Sequence, residues 1–236
     1  MAEAPELSAI LLGYRSGTAL VPLAERLHAS LERSGHSFEL VLVANYDEGS
    51  EDPTPEVAAG LAERHAGTRV VASPKRGGMG WDLRSGLDAA IGDVLVVIDG
   101  DGQYDPDDVV RAFQVLRESG AQVVTGRRTS RGDGLLRRVV TIAYNLTFLL
   151  LFPRRAVWDV NGKPKALTRA AYQRLDLVSD DWFLDAELLL EARRVGHTVR
   201  QLPVAYSTGS RASFVKPGAI LEFARHMVRY RLTGRV

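Results

Sequence analysis

Short apolar runs rich in β-branched and aliphatic residues recur along the first two thirds of the chain. Each run stops at or near a Gly, Asn, Asp or Pro, which is typical of strands buried in a parallel sheet. The runs lie at Ser8–Leu12, Glu39–Ala44, Arg69–Ala72, Val94–Ile98 and Ala121–Thr125. The pattern therefore predicts a strand at each of these ranges.

Between these runs, apolar residues recur at the spacing of one face of a helix. The stripes are Leu20, Leu23, Leu27 and Leu31, then Leu83, Leu87 and Ile91, then Val109, Val110, Phe113 and Leu116. Asp105, followed by Pro106 and Asp108, has the composition of a helix start. The alternation predicts an α/β fold with a mostly parallel, Rossmann-like sheet flanked by helices, in which ligands bind at the carboxyl ends of the strands.

The last third of the chain changes in character. It contains a predicted helix at Leu184–Arg194 closed by Gly196, a strand at Thr198–Tyr206 and a basic amphipathic helix at Ala219–Arg231. No Ser-, Gly- or Pro-rich linker and no internal repeat separates these elements from the first part. We therefore expect a single domain over residues 1–236.

The composition narrows the class of protein. Of the 236 residues, 45% are hydrophobic and 25% are charged, which disfavours disorder, collagen and a polytopic membrane protein. The formal net charge of +1 argues against a protein that binds nucleic acid through its overall field. Because there is no cysteine, thiolate catalysis and zinc–thiolate sites are excluded, and a metal ion needs oxygen or imidazole ligands.

Two features bear on the compartment. The acidic start of the chain is unlike the basic start of a signal peptide, which favours the cytoplasm. The longest apolar run, Val139–Phe152, is interrupted by polar residues and is shorter than a bilayer-spanning helix of about 20 residues. Arg137 and Arg138 precede it and Arg154 and Arg155 follow it. This suits a helix lying peripherally on the cytoplasmic membrane face, and a core helix packed on the sheet is the alternative.

The clearest candidate for chemistry is the sequence VLVVIDGDGQYD at Val94–Asp105. A buried strand delivers Asp99 and Asp101 at its carboxyl end, and Gly100 between them allows a sharp turn and close approach of a ligand. With the amide oxygen of Gln103, these carboxylates form a donor set for Mg²⁺ or Mn²⁺, which stabilises a departing diphosphate. An ordinary polar turn is the alternative.

Polar residues also follow the second predicted strand, where residues 45–54 read NYDEGSEDPT. Asn45, Asp47 and Glu48 are candidates to accept hydrogen bonds from a base or ribose, and Gly49 fits a tight turn. A surface loop before the next helix is the alternative. The position at the same edge of the sheet as the metal-site acids favours a binding site.

A third polar segment, KRGGMG at Lys75–Gly80, joins a strand to a helix. Lys75 and the backbone N–H groups near Gly78 are candidates for binding phosphate. Glycine-rich turns are common, however, and the spacing is not that of a P-loop.

Together these segments resemble the family 2 glycosyltransferases with the GT-A fold. The family's acid run Asp-Asp-Gly-Ser-x-Asp-x-Thr is echoed by Asp47, Glu48, Gly49, Ser50, Asp52 and Thr54, and its Asp-x-Asp metal motif by Asp99 and Asp101, followed by Gln103. Further matches are Gly126 and Arg128, Arg138 and Asn145, Asp159 and Gly162, and Phe183, Asp185, Glu187 and Leu188. The resemblance runs from about Ser8 to Ser213, and the order of the motifs is more specific than any one of them.

Within that family, the chain looks most like the dolichyl-phosphate mannose synthase branch and related polyprenyl-phosphate hexose synthases. The run from Asp159 through Val204 and Tyr206 to Ser213 follows that branch in order and spacing. Three features depart from the pattern. The Pro-x-Tyr-Asn-Glu after the first strand is reduced to residues 13–17, so the acid that contacts the nucleotide there is missing. Residues 45 and 46 are extra before the acid run. Near the end, Phe214 stands in place of a Lys, and Arg211 only partly replaces a missing Arg.

The resemblance implies an inverting glycosyltransferase that uses Mg²⁺ or Mn²⁺ and moves a hexose from a GDP- or UDP-sugar to a polyprenyl phosphate. Residues 1–125 would then hold the nucleotide sugar, and residues 126–236 the acceptor. Nucleotide-sugar contacts are expected at Asn45, Asp47, Glu48, Gly49, Lys75, Gly78 and Asp99. The alternatives are a soluble hydroxyl acceptor, a nucleotidyltransferase and a catalytically silent protein that binds sugar nucleotides.

The acceptor decides which side chains the reaction needs. A hydroxyl needs a general base, for which Asp185 and Glu187 are candidates. The alternative is that these acids lie at the start of a helix only because its dipole favours negative charge there. A phosphate is already anionic and instead needs cations, for which the resemblance implies Arg128, Arg138 and Arg211. Acceptor contacts are therefore expected at Arg128, Arg138, Glu187, Arg211 and Ser213.

Overall fold

The computed structural model of the chain describes residues 3–129, 145–152, 157–207 and 217–233, the side chains of the last range from residue 225. Its strands are β1 (Leu7–Leu12), β2 (Phe38–Val43), β3 (Thr68–Val71), β4 (Val94–Asp99), β5 (Val123–Arg128), β6 (Lys165–Thr168) and β7 (Val199–Val204). Its helices are α1 (Leu20–Ser34), α2 (Thr54–Arg64), α3 (Met79–Ala89), α4 (Asp107–Ser119), α5 (within 145–151), α6 (Arg169–Tyr172), α7 (Leu184–Arg194) and α8 (Pro217–Thr233).

The described strands form one sheet in the order β3-β2-β1-β4-β6-β5-β7. β6 runs antiparallel to its neighbours β4 and β5, and the other neighbouring pairs are parallel. Leu12 at the end of β1 pairs with Val43 on one side and Asp99 on the other. The carboxyl ends of β2, β1 and β4 therefore lie side by side, at the edge where ligands bind in such sheets.

Helices cover both faces of the sheet, which is why its strands are apolar on both sides. On one face, the leucine stripe of α1 packs with Leu61 of α2 and Phe113 of α4. On the other face, Leu83 of α3 packs with the apolar residues of α7 and with Phe148 of α5. The core thus has two layers, and it fixes the strand ends that carry the polar loops.

The α/β prediction is confirmed, and the predicted strands and helices lie within a few residues of the observed ones. The prediction for Ile91 is wrong, because α3 ends at Ala89 and the Ile91 side chain is 53% exposed. Its N–H leaves the helix pattern and donates to the carboxylate of Glu39 at 2.6 Å. Strand β6 has no counterpart in the sequence prediction, since its four residues KALT begin with a buried lysine and show no strand pattern.

The apolar run at 139–152 is described only in its second part. Within 145–151 it is helical, with Phe148 and Phe152 buried and Leu146 and Leu150 exposed. One face of this helix therefore packs in the core, while the opposite face remains apolar. Among the described residues, no helix is long and apolar enough to cross a bilayer. The flanking Arg137, Arg138, Arg154 and Arg155 lie outside the described ranges.

Candidate active site

The carboxyl end of β4 carries the two predicted metal-site acids. Gly100 between them lies against β1, where a Cβ would overlap the carbonyl oxygen of Leu12. The Gly100 N–H donates to the same oxygen at 2.8 Å. The neighbouring strand therefore fixes the turn that presents Asp99 and Asp101, and only glycine fits there.

The Asp99 carboxyl group is half-buried, and it accepts no hydrogen bond from any residue that the structure describes. Burial raises the pKa of Asp99 to about 6; the charge of Lys163 opposes this rise, and that of Asp101 adds to it. A divalent cation would compensate both carboxylates, so this oxygen donor set fits Mg²⁺ or Mn²⁺. No group of three or more His, Asp or Glu residues able to hold a metal is found in the described ranges. Water and a substrate diphosphate would complete the coordination shell.

Gln103, the third predicted metal ligand, is tied to the segment that follows β7. Its Oε1 accepts a hydrogen bond from the Tyr206 hydroxyl at 2.7 Å, and its backbone carbonyl accepts one from Ser207 N at 3.0 Å. Its own N–H donates to Oδ1 of Asp101 at 3.0 Å. An amide oxygen has two lone pairs, so the bond from Tyr206 is compatible with coordination of a metal ion.

Arg128, the last residue of β5, is held by Asp159. Its Nε and Nη2 donate to the Asp159 carboxylate at 2.8 and 2.6 Å, and its backbone N–H donates at 3.1 Å. Burial disfavours the charge, yet the bonds to Asp159 raise the pKa of Arg128 above its usual range. The guanidinium also lies 5.1 Å from the centre of the Tyr206 ring. The predicted acceptor arginine is therefore a fixed, paired group and not an isolated cation.

Asp185, the predicted general base, is buried in a cluster of opposite charges. Its Oδ1 accepts from Lys163 Nζ at 2.5 Å, and Lys165 Nζ lies 3.4 Å away. Burial disfavours the carboxylate, but the two ammonium groups lower the pKa of Asp185 below its usual value. A carboxylate in this state takes up a proton poorly at neutral pH. A general base at Asp185 therefore stays a prediction, and its carboxylate is already paired with Lys163.

The two buried lysines were not among the predicted site residues. Besides its contact with Asp185, Lys165 donates to the carbonyl oxygens of Val160 and Gly162 at 2.7 and 2.9 Å. Burial lowers its pKa to about 8, against the attraction of Asp185. The ammonium groups thus fasten the loop before β6 to α7, beside the metal-site acids.

Glu187 is bonded to the loop that leads into α7. Its buried carboxylate accepts backbone hydrogen bonds from Val178 N at 3.2 Å and Ser179 N at 2.9 Å. Burial raises its pKa above the usual value, against these bonds. The acceptor contact at Glu187 stays a prediction, and in this structure the side chain holds the loop that leads into α7.

The segments after β1 and β2 meet at Asp47. Its Oδ2 accepts from the Tyr14 hydroxyl at 2.7 Å and from Arg15 at 2.6 Å. The bond from Tyr14 lowers the pKa of Asp47, and burial raises that of Tyr14 to about 12. Lys75 Nζ lies 3.9 Å from the centre of the Tyr14 ring and forms an ion pair with Asp82 of α3. The predicted nucleotide segments do converge, but Asp82 already compensates the Lys75 charge.

Asn45 is a structural residue. Its side chain is fully buried, donating to Asp82 and to Ser85 Oγ at 3.0 and 2.9 Å and accepting from Ser73 N at 3.0 Å. The predicted contact of Asn45 with a base or ribose stays a prediction, and in this structure both amide atoms already bond within the protein. The next predicted contacts in this loop, Glu48 and Gly49, are exposed.

The glycines of the Lys75–Gly80 segment allow two backbones to pack together. A Cβ at Gly78 would come within 3.1 Å of the Asp180 carbonyl oxygen, and one at Gly80 would lie 2.5 Å from that of Asp181. Contact with the loop before α7 therefore accounts for glycine here without a phosphate. Phosphate binding by the Gly78 backbone stays a prediction.

The remaining predicted acceptor contacts, Arg138, Arg211 and Ser213, lie outside the described ranges. Sequence reasoning gave no site role to Tyr14, Lys163 and Tyr206. The two tyrosines follow the ends of β1 and β7 closely, and that position was the available signal. No signal marks a buried lysine within a loop.

A protein-family model described as Glycosyl transferase family 2 matches residues 20–177. Glycosyltransferase AglD of Haloferax volcanii is 30% identical over 207 residues, which are 84% of this chain and 32% of that protein. Dodecaprenyl-phosphate galacturonate synthase of Rhizobium johnstonii is 31% identical over 57% of this chain and 39% of that protein. The chain thus spans only 32% to 39% of the length of these two relatives.

Solved structures share the architecture of this chain. A Mycobacterium tuberculosis glucosyl-3-phosphoglycerate synthase, in complex with Mn²⁺, UDP and glucosyl-3-phosphoglycerate, aligns with a TM-score of 0.73 at 21% identity, over 98% of this chain and 81% of that one. Mannosyl-3-phosphoglycerate synthase of Rubrobacter xylanophilus aligns with a TM-score of 0.74 at 18% identity, over 98% and 76%. At these identities the likeness concerns the fold, which is the GT-A fold.

Proposed function

The chain belongs to glycosyl transferase family 2, and from this we propose that it transfers a hexose from a UDP- or GDP-sugar to a polyprenyl phosphate, with inversion at the anomeric carbon. Two relatives at 31% and 32% identity are named for transfer involving dodecaprenyl phosphate and undecaprenyl phosphate. These names support a lipid phosphate acceptor. In this proposal, residues 1–125 bind the nucleotide sugar and residues 126–236 bind the acceptor.

The observation that carries the choice of acceptor is the buried pair of Lys163 and Asp185. A hydroxyl acceptor needs a base within hydrogen-bond reach of its proton. Asp185 is close enough to influence the pKa of Asp99, but its carboxylate is already paired with Lys163. Glu187 is turned to the backbone of the preceding loop. A phosphate oxygen is anionic at neutral pH and attacks without a base, so this arrangement favours a phosphate acceptor.

On the donor side, the proposed cation site is formed by Asp99, Asp101 and Gln103. The cation, when bound, stabilises the negative charge of the leaving diphosphate. The Mn²⁺ and UDP in the Mycobacterium tuberculosis synthase support this choice of metal and leaving group. We assign the nucleoside side of the donor to Asp47 and Tyr14, at the end of the neighbouring strands.

On the acceptor side, a lipid phosphate needs positive charge that stays in place. Arg128 presents a guanidinium whose orientation is fixed by two bonds to Asp159. We assign the acceptor phosphate to Arg128, together with Arg138 and Arg211, and we keep Ser213 as a further contact. The pairing with Asp159 holds the arginine in one rotamer, so less conformational entropy is lost on binding.

We further propose peripheral contact with the cytoplasmic face of a membrane, where a polyprenyl phosphate resides. Leu146 and Leu150 form an exposed pair on α5, and Val228 and Leu232 form another on α8. The two helices are neighbours, since the rings of Phe152 and Tyr230 lie 6.1 Å apart. The exposed arginines of α8, Arg225, Arg229 and Arg231, suit anionic headgroups.

The test is a donor and acceptor panel with the purified chain and Mg²⁺ or Mn²⁺. UDP- and GDP-hexoses are each incubated alone, with a polyprenyl phosphate, and with 3-phosphoglycerate as a soluble hydroxyl acceptor. We expect release of nucleoside diphosphate only with the lipid phosphate, and loss of that release in Asp101→Ala. Release that needs 3-phosphoglycerate instead would establish the hydroxyl alternative. In a separate incubation, release of pyrophosphate from a nucleoside triphosphate supplied with a hexose 1-phosphate would indicate a nucleotidyltransferase.

A further inference from the structure

Tyr206 joins the metal-site loop to the segment after β7. We propose that Tyr206 is a positioning residue that holds the Gln103 amide oxygen toward the cation carried by Asp99 and Asp101. The inference rests on the proposed function only through the need for a divalent cation at these acids. It goes beyond that function because it assigns a metal-site role to a side chain outside the acid motif.

The first observation is the direction of the hydrogen bonds around Gln103. The Tyr206 hydroxyl donates to Oε1 at 2.7 Å, so it is the amide oxygen, the metal-binding atom, that Tyr206 holds. The Gln103 N–H donates to Oδ1 of Asp101, which places both side chains in one tight turn. A displacement of Gln103 therefore also moves the Asp101 carboxylate.

The second observation is that Tyr206 itself has little freedom. Its ring is buried and lies 5.1 Å from the ring of Tyr104, edge to face. On another side it meets the Arg128 guanidinium, which Asp159 holds with two hydrogen bonds. A hydroxyl carried on so constrained a ring can fix the orientation of its acceptor.

The third observation is a second attachment at the next residue. The backbone N of Ser207 donates to the Gln103 carbonyl oxygen at 3.0 Å, and Ser207 Oγ lies 3.3 Å from the same oxygen. Main chain and side chain of Gln103 are thus both bound to residues 206–207. Because the Tyr206 hydroxyl bonds to the amide oxygen itself, its removal should misdirect that oxygen while the backbone attachment keeps the loop in place.

Hydrogen bonds that orient a metal ligand typically change metal affinity by about 10- to 100-fold when they are removed. We therefore expect Tyr206→Phe to weaken Mn²⁺ binding at least about tenfold, with little change in thermal stability. A tyrosine that served only packing would leave the Mn²⁺ affinity unchanged in Tyr206→Phe, because phenylalanine keeps the ring.

The experiment measures the Mn²⁺ affinity of the full chain in the presence of UDP, from the electron paramagnetic resonance signal of free Mn²⁺. The variants are Tyr206→Phe, Gln103→Ala and the double variant. Tyr230→Phe is the matched control, since its buried hydroxyl donates to Glu191 at 2.7 Å, away from the metal acids. We expect the double variant to bind no more weakly than Gln103→Ala, because Tyr206 acts through Gln103. Tyr230→Phe should bind as the wild type does.

Two results would overturn the inference alone. One is wild-type Mn²⁺ affinity in Tyr206→Phe, and the other is a double variant whose loss is the product of the two single losses. If Tyr206→Phe does not fold, Gln103→Ala decides, and unchanged affinity in that variant contradicts the inference. Failure of the wild type to bind Mn²⁺ with UDP would instead remove the proposed metal site, so the two failures are distinguishable.

Discussion

Asp185 and Lys163 form a buried ion pair, and neither member can be changed alone without a structural consequence. Removing the carboxylate leaves the Lys163 ammonium without its nearest opposite charge in a site with almost no exposure. A loss of activity in such a variant therefore says little about proton transfer. The residue must be tested as half of a pair.

We expect Asp185→Asn to lower the free energy of unfolding by about 3–5 kcal/mol, because it leaves a buried charge uncompensated. The double variant Lys163→Met with Asp185→Leu should recover most of this loss. Urea unfolding followed by circular dichroism measures both. Wild-type stability in Asp185→Asn would show that the pair is not buried as described.

The raised pKa of Asp99 makes cation binding dependent on pH. Ionisation near pH 6 means that at pH 5 most Asp99 carboxyls must lose a proton before they bind Mn²⁺. We expect Mn²⁺ affinity to be about tenfold weaker at pH 5 than at pH 7.5, with proton release on binding detected by calorimetry in two buffers.

The raised pKa of Asp99 also sets how the stability of the metal-free chain depends on pH. Because folding raises the Asp99 pKa, the metal-free chain should lose stability as the pH rises from about 4 to about 6, and added Mn²⁺ should reverse that loss. Equal Mn²⁺ affinity at pH 5 and pH 7.5 would contradict the assignment of Asp99 as a ligand.

At this scale the sequence predicted the acids but not their partners. Asp99 and Asp101 could be found because two acids at the end of an apolar strand form a local pattern. The partners of Asp185 and Asn45 are 22 and 37 residues away. Only the folded sheet brings those groups together, so a local pattern could predict a role for each residue but not the internal bonds that hold it.

At the scale of elements, β6 positions the loop that carries Lys163, on the proposed acceptor side of the site. It is inserted antiparallel between β4 and β5, and the loop before it carries Lys163. Gly126 of β5 and Gly162 of that loop lie backbone against backbone, where a Cβ on either would overlap the other segment. The sequence predicted the longer strands because their apolar runs are continuous, whereas the order of β4, β6 and β5 depends on contacts that no local pattern encodes.

We expect Gly126→Ala to destabilise the fold by about 3 kcal/mol, because the added methyl group has to displace the backbone at Lys163. Gly60→Ala is the control. Gly60 lies in α2 with open space around it, so alanine there should stabilise by about 0.5–1 kcal/mol. Thermal unfolding compares the two, and a neutral Gly126→Ala would show that β5 and the loop are not in direct contact.

At the scale of the whole molecule, the proposed function draws on one sheet edge and on two helices, α5 and α8. The edge collects Asp47, Asp99 and Asp101 at the ends of adjacent parallel strands, as the sequence predicted from strand order alone. The two helices carry exposed apolar pairs, Leu146 with Leu150 and Val228 with Leu232, and α8 also carries exposed arginines. The sequence left open whether the apolar run packs in the core or meets lipid. In the part described, Phe148 is buried on one side of α5, and Leu146 and Leu150 are exposed on the other.

The proposed membrane contact is tested with the double variant Leu150→Glu and Leu232→Glu. We expect it to co-sediment severalfold less with phosphatidylglycerol vesicles than the wild type does. Both leucine side chains are 80% exposed, so glutamate there would carry charge into the interface. Ile91→Glu is the matched control, since Ile91 is also an exposed apolar residue but precedes β4, away from these helices. Vesicle binding that is equal in all three proteins would contradict a contact through α5 and α8.

The most direct measurement of the acceptor chemistry is the rate of nucleoside diphosphate release with a polyprenyl phosphate and with the corresponding polyprenol. Detergent, Mn²⁺ and nucleotide sugar are the same in both assays. The two lipids differ by the phosphate group, which supplies both an attacking oxygen that is already anionic and the charge that the proposed arginines would bind. With Asp185 paired to Lys163, we expect turnover with the phosphate and none above background with the alcohol. Comparable rates with the alcohol would show that a base operates in this site and would contradict a phosphate acceptor.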